Sequence, residues 1–326
     1  MDEFSLINSL KQASYKQASL IKGVGDDMAI FRQTSQDIVT AVDTFVENIH
    51  FSRATMDPFY VGYRALAANV SDLAAMGSKP AFYLVSIVIP SHWKTEEIQQ
   101  IFRGMKKMAG HFQMDLIGGD TVSGKELSIS ITVIGYVPRD KARYRHLARS
   151  GDVVFVTGTL GDSRAGLHIL KNPDDYKDRD FYIQRHRKPA PRVSFAMNLT
   201  YVSRVALNDI SDGIANEAAE IANGSGVTLV LDFAKLPVSD EFHQFTASQQ
   251  RTWSLFGGED FELIGTVPRS DWPLVVQAAE STRTRITEIG YVTERCSEMV
   301  YLQENDQKRP LEKQGYTHLK QVMQDE

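Results

Sequence analysis

The 326-residue chain has one cysteine, Cys296, and it lacks long apolar runs and any long unbroken run of lysine and arginine. A single thiol excludes an internal disulfide and a cysteine-based metal cluster within one chain. No stretch approaches the ~20 apolar residues of a membrane-spanning helix. With 36 basic against 41 acidic residues the net charge is −5, which argues against nucleic acid or an anionic membrane surface as a partner. The start, Met1-Asp2-Glu3-Phe4, has neither the basic lead nor the apolar core of a secretory signal. A cytoplasmic setting is the expectation.

What is present is ordinary in bulk: 42% hydrophobic and 24% charged residues, enough for a real core. The length predicts about two domains of roughly 100–200 residues. The informative part is local. Carboxylates recur in short Gly-, Ser- or Thr-bearing motifs: Gly25-Asp26-Asp27, Val42-Asp43-Thr44, Ser71-Asp72-Leu73, Gly118-Gly119-Asp120-Thr121, Asp209-Ile210-Ser211-Asp212-Gly213 and Gly257-Gly258-Glu259-Asp260. Most interrupt or end apolar segments, where a carboxylate is costly unless a positive group meets it. Lys and Arg are sparse there, so a divalent cation held by oxygens is the natural partner. Mg²⁺ suits such ligands and commonly bridges to substrate phosphates.

Each motif also has a plainer reading. Asp26 and Asp27 could form a turn with their own backbone. Asp43 follows the apolar run Ile38–Val42 and could cap a strand. Asp72 continues the Val61, Ala65, Ala68 face of a helix, and a buried ion pair with Arg64 or Lys79 is its alternative. Asp120 follows two glycines, which either make a β-turn or bring backbone amides close to phosphate. Ser211 or Asp212 could be a helix N-cap, although helix N-termini also bind phosphate. His50, beside Phe51, either meets a phosphate or is structural. Six unrelated coincidences are the weaker account.

The coarse organisation is a mixed α/β chain. Residues 4–21 read as an amphipathic helix, Met28–Phe31 and Ile38–Val42 as strands. Asp57-Pro58 reads as a capped start of a helix running to Met76, with Gly77 as its stop. Phe82–Pro90 is an apolar strand and Thr95–His111 a helix capped by Thr95. Residues 127–137 alternate as a half-buried strand. The basic stretch 139–149 is the expected boundary between domains 1–138 and 139–326. Beyond it come a strand at Val153–Thr157, a Gly-rich turn, a helix from Ser163 and a loop-rich tract over 172–191. A strand at Val205–Ile210, a helix at Ile214–Ala222 and strands at Val227–Leu231, Phe261–Val267 and Ile286–Val292 follow. Two familiar motifs fail. Gly119–Lys125 starts like a P-loop but continues Glu126 and a strand, and Gly23-Val-Gly25 lacks the third glycine and the helix of a dinucleotide fingerprint.

Taken together, Gly25-Asp-Asp27, Val42–Phe51, Asn69-Val-Ser-Asp-Leu-Ala-Ala-Met-Gly77, Leu116–Thr121, Val156–Ser163, Asp209–Gly213 and Gly257–Leu263 resemble the thiamine-monophosphate kinases. That family sits in the superfamily of aminoimidazole ribonucleotide synthetase and selenophosphate synthetase. The resemblance runs from Phe4 to His318. It implies a two-domain α/β (α+β) protein: an N-terminal mixed sheet with helices that pairs in a homodimer, and a C-terminal α/β sandwich closing the active site. It implies ATP-dependent phosphorylation of thiamine monophosphate to thiamine diphosphate. Several Mg²⁺ ions would be held by Asp27, Asp43, Asp72, Asp120, Asp209 and Asp212. ATP would meet Phe102, Gly119, Asp120, Arg145 and Ser211, and the thiamine phosphate His50, Glu259 and Tyr316. The chain departs from the family's pattern at Ala41-Val42, where Ser or Thr usually precedes the aspartate, at Asn48 in place of Gly, and around Arg145. Two alternatives stay open: another ATP-dependent synthetase of the superfamily, whose selenium branch needs an N-terminal thiol this chain lacks, and a non-catalytic metal- or nucleotide-binding regulator.

Overall fold

The computed structural model describes residues 14–22, 30–33 and 35–314. Strands β1 (Leu20–Lys22) and β2 (Ile30–Phe31) pair antiparallel. The expected helix over 4–21 is not seen in its described part: residues 14–19 are irregular and β1 follows.

Next come β3 (Gln36–Val46), helix α1 (Pro58–Ala75), β4 (Lys79–Pro90), helix α2 (Thr95–Phe112), β5 (Asp115–Gly124) and β6 (Ser128–Pro138). The four long strands form one sheet in the order β3-β6-β4-β5. Strand β6 is antiparallel to both neighbours, while β4 and β5 run parallel and are joined by α2. The alternation along β6 decides which face is covered. Ile129, Ile131 and Val133 point with Val85, Ile87 and Phe45 into a core shared with α1 and α2. Where those helices cross, a Cβ on Gly62 would come 1.8 Å from the Ile101 carbonyl oxygen, so only glycine lets the backbones approach so closely.

Helix α1 starts at Pro58, but the side chain of Asp57 makes no cap hydrogen bond and instead lies 3.8 Å from Arg187. Gly77, at φ +67°, ends the helix as expected. At the second helix Lys94 occupies the cap position, and the Glu97 carboxylate accepts its N–H at 2.8 Å, so Thr95 is the first helical residue.

The second unit holds β7 (Val153–Thr157), α3 (Asp162–Lys171), α4 (Arg179–Arg187), α5 (Val193–Asn198), β8 (Ala206–Asp209), α6 (Ile214–Ser225) and β9 (Thr228–Asp232). It continues with α7 (Ala247–Phe256), β10 (Leu263–Val267), α8 (Trp272–Ser281), β11 (Ile286–Thr293), β12 (Val300–Glu304) and β13 (Gln307–Pro310). Seven strands pair in the order β13-β12-β9-β11-β7-β10-β8, with β12 and β9 the parallel pair. Helices cover both faces: Val154 and Val156 pack with α6, while Val153 and Phe155 pack with α5 and α8. The tract 172–191 is not all loop. It contains α4, whose few buried residues, Tyr182, Ile183 and His186, give too weak a periodicity to see. Among the described residues no helix is long and apolar enough to cross a membrane.

Candidate active site

Helix α1 is the element on which the site is built. Buried almost all round, it packs against the first sheet and also reaches the second unit, where Ala75 joins the core around Phe155 and Phe195. Asp72 on this helix meets Asp43 of β3, side chain to side chain. Asp43 lies in line with Ala41 and Phe45, an acid on the apolar, helix-covered face of the sheet. Its backbone N–H donates to Asn69 Oδ1 at 3.0 Å, and Asn69 is held by donating to the Ala65 carbonyl at 3.0 Å. Neither Arg64 nor Lys79 pairs with Asp72, so the plain ion-pair reading of that residue fails. Arg64 goes elsewhere.

From the second unit, Asp209 at the end of β8 and Glu217 on α6 bring further negative charge. Burial first, then Asp209 and Asp43, pushes the Asp72 carboxyl up to about 9. Burial also raises Asp209 to about 6, partly offset by the Ser71 hydroxyl beside it, with Asp43 adding to the rise. Glu217 is raised to about 8 by burial and then by Asp209. Arg145, on the connection between the two units, is the cation that lowers all three and also lies 3.4 Å from Glu220. An excess of buried acid over nearby base is the electrostatic signature of a cation site. Among the described residues, though, no three such groups stand close enough to enclose an ion by themselves. One or two carboxylates completed by substrate phosphates is how Mg²⁺ is commonly held, and this all-oxygen set fits that habit.

The turn after β8 joins the cluster to the Gly257–Glu262 loop. Glu259 N–H donates to Ser211 O at 2.7 Å and Phe261 N–H to Ile210 O at 3.0 Å. The Asp212 amide, at the start of α6, points to Glu217 Oε1 at 3.2 Å. Asp260 does not face the cluster. It is buried and accepts from Gly161 and Ser163 N–H at 2.6 and 3.0 Å, fixing the start of α3. Glu262, also buried, receives Arg192 and Arg185.

Of the other expected residues, His50 accepts the Val46 N–H at 3.1 Å and lies tilted against Phe45, ring centroids 5.2 Å apart. Phe102 packs on the first core. Gly119 and Asp120 belong to the edge strand β5. Register separates Asp120 from Asp43: the row Asp43-Ile131-Val85-Gly119 faces the helices, whereas Thr44-Ser130-Ser86-Asp120 faces away. Asp43 and Asp120 thus lie on opposite faces and opposite edges, about 14 Å apart at three strand spacings. The structure brings Asp43, Asp72, Asp209 and Arg145 together and leaves Asp120 apart. Asp27 and Tyr316 lie outside the described residues.

Glu217 is missing from the sequence-based expectations, and Arg64 enters them only as an alternative partner of Asp72. Glu217 was detectable, because it stands three residues after Ile214 and four before Ile221 on an otherwise apolar helix face. Arg64, fully buried on α1, gave no local signal beyond being a charge in an apolar helix.

Models of the AIR synthase related protein N-terminal and C-terminal domains match residues 25–137 and 149–303. The two units are those of an AIR synthase-related protein. Within that class, the thiamine-monophosphate kinase of Bacillus subtilis is 43% identical over 98% of this chain and 100% of its own length. A crystal structure of thiamine-monophosphate kinase from Stenotrophomonas maltophilia superposes with a TM-score of 0.83 at 30% identity, covering 93% of this chain and 96% of that one. AaThiL complexed with AMPPCP and TMP superposes at 0.77 with 31% identity, covering 97% and 96%. The chain belongs to the thiamine-monophosphate kinase family.

Proposed function

We propose that the protein transfers the γ-phosphoryl group of ATP to thiamine monophosphate, giving thiamine diphosphate and ADP. The observation that carries this reading is the convergence of Asp43, Asp72 and Asp209 between the two units. A full-length relative complexed with AMPPCP and TMP supports it. The acceptor is a terminal phosphate oxygen already ionised at neutral pH, so no general base is needed. That oxygen bonds to the γ-phosphorus as the bond to the β,γ-bridging oxygen breaks in line, and ADP leaves. The difficulty is bringing two polyanions together, and positioning plus charge neutralisation meets it.

Mg²⁺ would supply that neutralisation when bound. Asp43 and Asp72 would hold it, with Asp209 and Asp212 beside them; Asp27 and Asp120 are assigned to the same set. Arg145, near the acidic cluster, is assigned to the nucleotide phosphates. Ser211 lies at the turn leading into α6, whose N-terminus favours anions. His50, Glu259 and Tyr316 are assigned to the thiamine phosphate.

Gly119, Asp120 and Phe102 are assigned to ATP, and the separation of Asp120 from Asp43 favours a site completed by a second protomer. The outward face of the first sheet carries Ile38, Val42 and Val122, which are 51, 61 and 45% exposed, among small hydroxyl residues. A homodimer pairing this face would carry Asp120 of one subunit toward the cluster of the other.

The test is direct: purified protein, Mg-ATP and thiamine monophosphate should give ADP and thiamine diphosphate. Thiamine, which lacks the acceptor phosphate, should give neither. ATP turnover with thiamine but not with its monophosphate would refute the assignment.

A further inference from the structure

Arg64 is the cation of α1 that the acidic cluster does not use. It is completely buried, and on the helix it shares a face with Ser71, seven residues on, and Ala75, the residues that meet the second unit. Its guanidinium crosses between the units. Nη1 lies 2.9 Å from His186 Nε2 and 3.1 Å from Nδ1, while Nη2 pairs with Glu259 Oε2. Burial, then Arg64 and Arg187, holds the pKa of His186 well below that of a free imidazole, so the ring beside Arg64 is neutral. Among the described residues Glu259 is the one carboxylate in ion-pair contact with Arg64.

Glu259 is also held in an unusual backbone conformation. Its φ is +70° and that of Phe261 is +51°, both in the left-handed region that non-glycine residues seldom occupy. Such strain persists only where the surroundings over-determine it. Here they do: the amides of Glu259 and Phe261 are tied to Ser211 and Ile210. Gly258 lies so close that a Cβ would come 2.5 Å from the Ser211 carbonyl oxygen. The side chain of Glu259 nevertheless remains 32% exposed. One oxygen is committed to Arg64, and the open part faces outward from a fixed loop.

We propose that Arg64 is a positioning residue for the phosphoryl acceptor, clamping Glu259 so that its carboxylate meets the acceptor's cationic ring at a fixed distance from the acid-bearing helix. This rests on the assignment of Glu259 to the thiamine phosphate. Because α1 carries both Arg64 and Asp72, one rigid helix sets the acceptor loop and the cation site together. The fork of a guanidinium fits this role better than the point charge of lysine.

Steady-state kinetics of Arg64→Met, Arg64→Lys, Glu259→Gln and the Arg64→Met/Glu259→Gln double variant test it. Arg64→Met should raise KM for thiamine monophosphate about tenfold or more, leaving KM for ATP within about twofold. Arg64→Lys should give a smaller rise confined to the same substrate, and it serves if the methionine variant does not fold. In the Glu259→Gln background the Arg64→Met effect should largely vanish, because the two act through one contact. Equal rises in both KM values, or an undiminished Arg64 effect in that background, would overturn the clamp. If Glu259→Gln itself leaves the KM for thiamine monophosphate unchanged, the assignment of Glu259 fails, a result separable from failure of the clamp alone.

Discussion

Asp43 and Asp72 meet carboxyl to carboxyl at the foot of a buried helix. Two carboxylates make that contact only when a proton is shared between them or a cation lies at hand. Arg145 is too exposed and too occupied with Glu220 to cancel the surplus charge.

Stability of the metal-free protein should therefore depend on Asp72. Burial, Asp209 and Asp43 raise its carboxyl from 3.8 to about 9. A carboxyl raised on folding takes up a proton between those two values, so stability falls as pH climbs through that window. In EDTA, Asp72→Asn should melt close to the parent at pH 4 and above it at pH 8, by roughly 2–5 °C. Added Mg²⁺ should close the gap by stabilising the parent alone. A gap independent of pH in thermal melts would count against this account.

Turnover should depend on Asp43 far more than folding does. Asp43→Asn keeps size and shape while removing the charge, so kcat should drop by about two to three orders of magnitude. Circular dichroism should stay that of the parent. A variant with near-parental kcat would remove Asp43 from the site.

The separation of Asp43 from Asp120 makes a prediction about subunits. Asp43→Asn and Asp120→Asn should each be inactive alone. Co-refolded in equal amounts, half the dimers are mixed with one intact site each, so roughly a quarter of parental activity should return. No recovery, with mixed dimers verified by mass spectrometry, would place both residues in one subunit's site or remove Asp120 from catalysis.

Glu262 should matter for stability instead. Burial alone would raise its carboxyl, but Arg192 and then Arg185 outweigh it and hold it below 4.5. Its contribution is present above that value and lost as pH falls below it. Glu262→Gln leaves Arg192 without its anion and Arg185 with Asp162 alone, and should cost about 3 kcal/mol at neutral pH. Chemical denaturation measures this, and an unchanged midpoint would contradict it.

Much of the first sheet was legible because its side chains alternate with a period of two, as in Leu127–Val133. The α1 boundaries were legible because Pro58 and Gly77 act through their own backbone geometry. Helix α4 was not, since a short helix with one apolar turn looks like polar loop. Helices α7 and α8 are likewise absent from the sequence-based expectations.

By itself the sequence determined that acids recur where apolar segments end, that oxygen ligands outnumber local cations, and which family these motifs resemble. Local pattern and chemistry suffice for that. Only the tertiary structure decided which acids meet. Strand register turned Asp120 to the opposite face from Asp43, and helix packing gave Arg64 to Glu259 instead of Asp72. Those outcomes depend on pairing between distant segments, which no stretch of chain encodes on its own.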